Sequence, residues 1–425
     1  MRRVIFLLFS VCFILNKAEA QIIIKTDTVS YSLSDAENLF IKSNFDLLAA
    51  KYQIDEAEAS LIQAKLWDNP NINLELGAYN EDTKKWFEMS QNGESAVILQ
   101  QLIYLAGKRN KRINLEKINS QIAKYQFYDL MRTLRYELRT SFFELYFLQK
   151  SLSVYDHELA ALKTLVDAYA AEYQKGNLPF KELARLQALQ FNLENGKIEV
   201  LKNVIEKQAN LILLTGDSFS RPIKPIVSVS SFDVINPSAV NLAQMVDSGL
   251  VNRYDLKITE AQIESEQTNL SLQKAMRIPD MTIGARYDKA GSYVHNYNSL
   301  SLGFDLPLWN RNKGNIKIAE NKIEENKVNK SQKELEIKSE ITKAYIQFIE
   351  TDKLYKSSIQ KFDNRYENLF DGITDAYKNR TISLLEFIDY YETYKDSKNE
   401  YFQLQINRLD AIESLNLATG TIIFK

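Results

Sequence analysis

Three long stretches of this chain, Lys108–Lys175, Asn315–Asp371 and Ile373–Thr419, contain neither glycine nor proline, and Gly372 alone separates the last two. Without those punctuating residues a segment keeps the regular structure that its spacing dictates. In the first stretch Leu145, Leu148, Leu152, Tyr155, Leu159, Leu162, Val166, Tyr169 and Tyr173 recur in alternating steps of three and four, a heptad seam. Its 68 residues would reach roughly 100 Å as one helix. Helices of that length do not fold back into a globule. They pack side by side, which predicts a coiled-coil or helical-barrel architecture. The seam itself is core packing and carries no functional information.

Elsewhere the period changes from helical to alternating. In Asn71–Tyr79, Ile72, Leu74, Leu76 and Ala78 fall on one face and Asn73, Glu75, Gly77 and Tyr79 on the other. The segment 281–289 keeps that phase, with Met281, Ile283, Ala285 and Tyr287 opposing Thr282, Gly284, Arg286 and Asp288. The alternation is sharpest in 298–308, where Leu300, Leu302, Phe304, Leu306 and Leu308 oppose Ser299, Ser301, Gly303, Asp305 and Pro307. A fourth candidate strand, 95–104, alternates too poorly for its faces to be assigned. Nine or ten residues is about the length of a tilted transmembrane strand. Four strands cannot close a barrel in lipid, because open edges leave backbone groups unpaired at several kcal/mol each. Membrane-spanning strands therefore require oligomerisation, and a symmetric trimer would supply about 12 strands. Alternation alone fits equally well a pair of hairpins covering a soluble helical bundle.

The chain is one unit written twice. The segment from Asn44 matches that from Arg253 at an offset of 209, which pairs Asp46 with Asp255, Leu47 with Leu256, Ile54 with Ile263 and Pro70 with Pro279. Further on the offset is 204, pairing Tyr173 with Tyr377, Glu182 with Glu386 and Gly216 with Gly420. A longer polar loop at 81–95, against 289–299 in the second copy, accounts for the difference. The expected division is a first repeat at 21–216, a linker at 217–240 holding three of the seven prolines, and a second repeat at 241–425.

The N-terminal 20 residues read as a secretory signal peptide: Arg2 and Arg3, an apolar run from Val4 to Leu15, and Ala18-Glu19-Ala20 as a small-x-small cleavage site. The run is well short of the roughly 20 residues a membrane helix needs. Cys12, the single cysteine, lies within it. Of 53 basic and 55 acidic residues, cleavage removes three (Arg2, Arg3, Lys17) and one (Glu19), leaving 50 and 54. A net charge of about −4 gives no reason to expect nucleic acid as a partner. Two histidines, His157 and His295, are too few for a metal cluster or a nucleophile-activating group, and no phosphate-binding loop is present. No cofactor and no enzymatic activity are expected.

The order of helix, two strands, long helix, turn and helix, written twice after a signal peptide, resembles the TolC family of outer-membrane efflux proteins. The resemblance covers nearly all of the mature chain. Its local carriers are the residues leaving each hairpin, Leu102, Tyr104, Gly107, Lys108 and Arg109 in the first copy and Leu306, Pro307, Leu308, Trp309, Arg311 and Lys313 in the second, with Thr215-Gly216 and Thr419-Gly420 closing the halves. It implies a homotrimer: strands joined in one 12-strand barrel in outer-membrane lipid, with Ile72, Leu74, Leu76, Ile283, Leu300, Leu302, Phe304 and Leu306 facing the lipid. The helices would form a tunnel across the periplasm that docks on an adaptor protein and an inner-membrane pump, passively exporting small molecules or ions.

The resemblance also assigns the two helix interruptions, about 174–182 and 378–386, as periplasmic tips. The family pattern there is Tyr-x-x-Gly, a short polar and apolar stretch, then acidic residues. Tyr173, Gly176, Leu178, Phe180 and Glu182 match it; in the second copy Tyr377 and Leu384 fit, while Arg380 stands where glycine is usual. Tip and adaptor contacts are thus expected at Tyr173, Gly176, Leu178, Phe180, Tyr377, Arg380 and Leu384, and a periplasmic gate at Glu386, Asp389 and Glu182. Three copies of a carboxylate around a narrow pore would disfavour anions, favour cations and lower the cost of splaying the helices. The competing expectation, from another class, is a soluble secreted or periplasmic coiled-coil scaffold, which has no need for outward apolar bands in matched register.

Overall fold

The structure is a computed structural model that describes residues 28–90, 92–217, 221–227, 241–290, 294–359 and 369–423. The expected signal peptide, residues 1–20, lies outside the described residues, as does most of the expected linker. Each half begins with a broken helix: α1 (Leu33–Ser43) and α2 (Phe45–Ala64) in the first, α5 (Leu242–Asn252) and α6 (Tyr254–Ala275) in the second. The break is set by the residue at each joint. Asn44 accepts from the Leu47 amide at 2.9 Å and donates to the Leu214 carbonyl at 3.0 Å. Its counterpart Arg253 donates to the Ala418 carbonyl at 3.3 Å while pairing with Asp255 at 2.6 Å and with Glu340. Each joint thereby holds the last turn of its own half's closing helix.

The seam becomes α3 (Lys108–Gln174), a single helix of 67 residues, which returns as α4 (Phe180–Thr215). In the second half α7 (Lys313–Ile359) and α8 (Leu369–Lys378) descend and α9 (Leu384–Thr419) returns. Both closing helices end on a left-handed glycine, Gly216 at φ +64° and Gly420 at φ +70°. A Cβ on Gly216 would stand 2.3 Å from the Ser43 carbonyl oxygen, so the sequence cannot place a side chain there without moving backbone.

Two cores hold the helices. One joins both halves around Phe40, Leu138, Phe142, Leu145, Leu211, Ile337, Ile341, Phe348 and Leu415. Beside it lies a buried ion pair: Arg408 donates to Asp352 at 2.8 and 2.9 Å, Lys356 approaches the other Asp352 oxygen at 2.9 Å, and the guanidinium lies 4.4 Å over the Tyr355 ring. The second core, nearer the helix interruptions, is aromatic, with Tyr155, Phe370, Tyr377, Phe387, Tyr391 and Tyr394 among leucines of α3 and α4.

A four-stranded antiparallel sheet caps the opposite end. Its strands are β2 (Asn71–Leu76), β5 (Ser95–Ile103), β7 (Met281–Asp288) and β8 (Tyr297–Phe304), in that order across the sheet. A small hairpin, β3 (Tyr79–Asn80) with β4 (Lys85–Trp86), occupies the loop between β2 and β5. The last strand ends at Phe304, so Leu306 is not a strand residue, contrary to the alternation; Pro307 has no amide to extend the ladder. Within the stretch read as a linker, β6 (Ile223–Ile226) pairs in parallel with β1 (Val29–Ser32), a two-stranded ladder too short for alternation to announce.

Candidate functional site

The sheet register assigns every strand face. Across the four strands the rows Ile72–Leu99–Ala285–Leu300 and Leu74–Val97–Tyr287–Asn298 lie on one side, joined by Leu76, Gln101, Ile103, Ile283, Leu302 and Phe304. The seven expected lipid-facing residues that lie in strands therefore share one face. The register also settles β5, whose alternation failed because Gln101 sits on the apolar face while Ile98 and Leu102 sit on the polar one. That polar face carries Asn73, Glu75, Gly284, Ser299 and Ser301, with Arg286 reaching Asp288 at 3.0 Å and Glu75 at 3.5 Å.

The apolar face is uncovered. Ile72, Leu74, Leu76, Leu99, Ile283, Leu302 and Phe304 are exposed, and Leu300 retains 87% of its free surface. A contiguous band this wide is far beyond what a soluble monomer leaves to water. The edge strands β2 and β8 have no outer neighbour among the described residues, so each presents an unpaired row of backbone groups. No described helix is long and apolar enough to cross a membrane, which says nothing about a β-barrel.

At the other end the two interruptions, related by the same offset of 204, form the same turn. Gly176 and Arg380 both take left-handed backbone, φ +77° and +57°. Asn177 donates to the Glu172 carbonyl and Gly176 to that of Tyr173, both at 2.9 Å; Thr381 and Arg380 repeat the pattern to Ala376 at 2.9 Å and Tyr377 at 3.0 Å. This is the two-bond C-terminal cap that ends many helices, ordinarily on glycine. Arg380 adopts it at a cost of about 1 kcal/mol, because its Cβ crowds the carbonyl. The sequence departure thus changes the energy of the turn and leaves its geometry intact.

The flanking side chains differ. Tyr377 is only 5% exposed and stacks between Tyr169 and Phe387, at 5.8 and 4.7 Å. Burial first, then Tyr169 and the charge of Glu182, raise its hydroxyl pKa. Tyr173 is 42% exposed, against the exposed ring of Phe180 at 5.6 Å. Leu178 and Leu384 are half-buried.

Of the expected gate carboxylates, Glu386 is engaged locally. Its side chain accepts from the Ser383 amide at 2.8 Å while its own amide donates to the Ser383 hydroxyl at 3.3 Å, a capping box that holds its pKa below the usual carboxylate range. At the equivalent N-cap of α4 stands Pro179, with no side-chain cap, so Glu182 has no such duty. Asp389, one turn beyond Glu386, is exposed.

Two features went unread in the sequence. An apolar groove of about 350 Å³ runs between α8 and α9, lined by Leu369, Ile373, Ala376, Ile382, Tyr390 and Tyr394. Inside the aromatic core, Glu158 is fully buried, taking a hydrogen bond from the Tyr391 hydroxyl at 2.8 Å while its other oxygen has no partner. Desolvation pushes its pKa up to about 7, against the smaller pull of Tyr391, Lys395 and Lys398. A carboxyl that holds its proton longer when folded makes the folded state lose stability as pH rises, here from about 4.5 to about 7. Glu158→Gln is therefore expected to gain on the wild type by roughly 2–3 kcal/mol between pH 5 and pH 8 in urea unfolding followed by helical circular dichroism. Parallel pH profiles would show that Glu158 is charged in place. Among the described residues no cluster of three or more His, Cys, Asp or Glu side chains could hold a metal.

Comparison with known proteins agrees with this architecture. Over 287 residues the chain is 22% identical to the cobalt-zinc-cadmium resistance protein CzcC of Cupriavidus metallidurans, a match covering 67% of this chain and 65% of that protein, slightly under two thirds of the relative's length. The Campylobacter jejuni CmeC outer membrane channel shares the fold with a TM-score of 0.75 at 15% identity, over 91% of this chain and 85% of that one. The Neisseria gonorrhoeae MtrE outer membrane channel, solved in its open state, does so with a TM-score of 0.71 at 12% identity, over 92% and 89%. The family model for outer membrane efflux proteins matches residues 38–217 and 245–421, one block in each half, and the chain belongs to that family.

Proposed function

We propose that the protein is the outer-membrane duct of a tripartite export system. Three copies join edge strand β2 of one to edge strand β8 of the next, closing a 12-strand barrel whose apolar face meets lipid and whose polar face, with Arg286, Glu75 and Asp288, lines the lumen. The helices continue the lumen through the periplasm to the tips. The observation that carries this is the exposed apolar band in register across four strands with both edges open. A soluble scaffold would leave that band and both edges in water.

At the tips the exposed Tyr173 and Phe180, together with the apolar groove between α8 and α9, suit the side chains of a helical-hairpin adaptor. Glu182 and Asp389 supply the pore carboxylates, with Glu386 chiefly capping α9. A carboxylate-lined mouth favours cations, and the relative named for cobalt, zinc and cadmium resistance makes divalent metal cations the cargo class this arrangement suits best. The duct itself performs no reaction.

Extraction decides the first point: a detergent-solubilised trimer from the outer-membrane fraction is expected, and a soluble monomer after lysis would sink the proposal. For the gate, the Glu182→Gln, Asp389→Asn double variant is expected to raise planar-bilayer conductance and weaken cation preference. Glu386→Gln is expected to do less. Unchanged conductance and selectivity in the double variant would remove these carboxylates from the gate.

A further inference from the structure

The helix-side foot of the sheet carries an unusual charge distribution. The four connections that enter and leave the strands there, residues 65–70, 104–113, 274–280 and 305–313, hold nine cations and three carboxylates. Two of those carboxylates are occupied: Asp68 accepts from the Tyr104 hydroxyl at 2.6 Å, and Asp280 binds Lys108 at 2.8 Å and the Leu105 amide at 3.0 Å. Among the described residues Lys65, Arg109, Arg112, Arg277, Arg311 and Lys313 have no carboxylate within 4.0 Å. The other end of the sheet has the opposite balance, with five carboxylates against three lysines in 81–94 and 288–296.

These connections are bound into one layer. Lys108 donates to the Ile278 carbonyl at 2.6 Å, Asn312 to that of Gln273 at 2.9 Å, and Arg109 to that of Lys65. Aromatic rings mark the same connections: Trp309 is 94% exposed, Trp67 is exposed, and Tyr104, directly after β5, holds Asp68 of the connection that carries Trp67. Two of the guanidiniums are held against these rings, Arg109 at 4.6 Å over Trp67 and Arg112 at 4.5 Å over Tyr104. Several cations also sit at the N-terminal ends of α3 and α7, where the helix dipole repels them unless an anion is present. Exposed tryptophan and tyrosine sit at the headgroup level of a bilayer, so the cations lie at the depth of the lipid phosphates.

We propose that this foot is a binding girdle for the phosphate headgroups of anionic phospholipids in the periplasmic leaflet. The inference rests on the barrel spanning the membrane. Arg109 gives one N–H to the Lys65 carbonyl, and a guanidinium has five, so the ring-stacked guanidiniums keep donors of the kind that phosphate accepts in a bidentate manner. A basic residue at an anionic surface contributes about a fivefold preference, so several acting together select anionic lipid strongly.

The full-length protein reconstituted in phosphatidylethanolamine vesicles, with or without about one third phosphatidylglycerol as the anionic lipid, gives the test. Lipid retained on the detergent-extracted trimer is then counted by native mass spectrometry. The wild type is expected to retain phosphatidylglycerol over phosphatidylethanolamine at a ratio about tenfold above that of the bulk lipid, and the Arg109→Gln, Arg112→Gln, Arg311→Gln, Lys313→Gln variant to lose that enrichment. Because Arg109 and Arg112 also pack against rings, the Arg311→Gln, Lys313→Gln pair is measured alone and is expected to lose part of it. Equal enrichment in wild type and both variants overturns the inference, as it would if the cations instead served an acidic protein partner. Displacement of the lipid by millimolar inorganic phosphate would assign the girdle to free phosphate and also overturn it. Failure to float with either vesicle would instead refute the membrane barrel itself.

Discussion

Leu300→Arg is expected to abolish assembly in the outer membrane. Leu300 lies mid-strand in the row Ile72–Leu99–Ala285–Leu300 and is the most exposed apolar residue of the sheet. An arginine at the midplane of a membrane barrel costs about 2–4 kcal/mol, and a trimer carries it three times. The charge cannot be hidden by turning the strand, because a one-residue slip would carry Leu300, Leu302 and Phe304 into the lumen together. Ser301→Arg, one residue away on the polar face, is the matched control and is expected to leave the trimer in the membrane fraction. If both variants assemble equally, the face assignment is wrong.

The second large effect is expected from the buried ion pair. Arg408→Met leaves Asp352 with only Lys356 in a site where both the arginine and the aspartate are almost wholly excluded from water. Breaking such a pair from one side costs about 3–5 kcal/mol, since an ion then stays buried without its partner. The Asp352→Leu, Arg408→Met double variant removes both charges and is expected to recover most of that loss. A thermal unfolding series over the wild type, both single variants and the double variant reads the coupling directly. Additive losses would mean that Arg408 acts through its packing over Tyr355 and its neighbours, with no charge coupling to Asp352.

The long helices and the duplication were legible because both are local or self-referential. A heptad seam in α3 and an offset shared by Asp46/Asp255 and Gly216/Gly420 need no knowledge of the partner surface. The two tips were legible from Tyr173 and Tyr377, although Arg380 disguised the second turn. The structure shows that a left-handed cap tolerates arginine, because the backbone bonds of the turn are formed by the peptide groups and the side chain adds only a modest penalty. Glu386 went the other way. Its position marked it as a pore carboxylate, while Ser383 three residues earlier draws the same carboxylate into a capping box.

The limits of local pattern are clearest in β5 and β1. Alternation failed in β5 because residues at a barrel wall answer to their cross-strand rows, and only pairing to β2 and β7 fixed which face Gln101 and Ile98 occupy. The four residues of β1 have no periodicity to read, and their strand exists because β6 lies beside them. Glu158 gave no signal at all, being one more acid on a charged helix until Tyr391 closed over it.

By itself the sequence determined the class of fold, its duplication, the positions of strands and turns, and the apolar face of three strands, since these follow from spacing along one chain. The tertiary structure decided which face β5 presents, that the four connections converge in one cationic layer, that Tyr377 stacks between Tyr169 and Phe387, and that Arg408 and Asp352 meet in the core. Those are contacts between residues tens to hundreds of positions apart, and only packing brings them together.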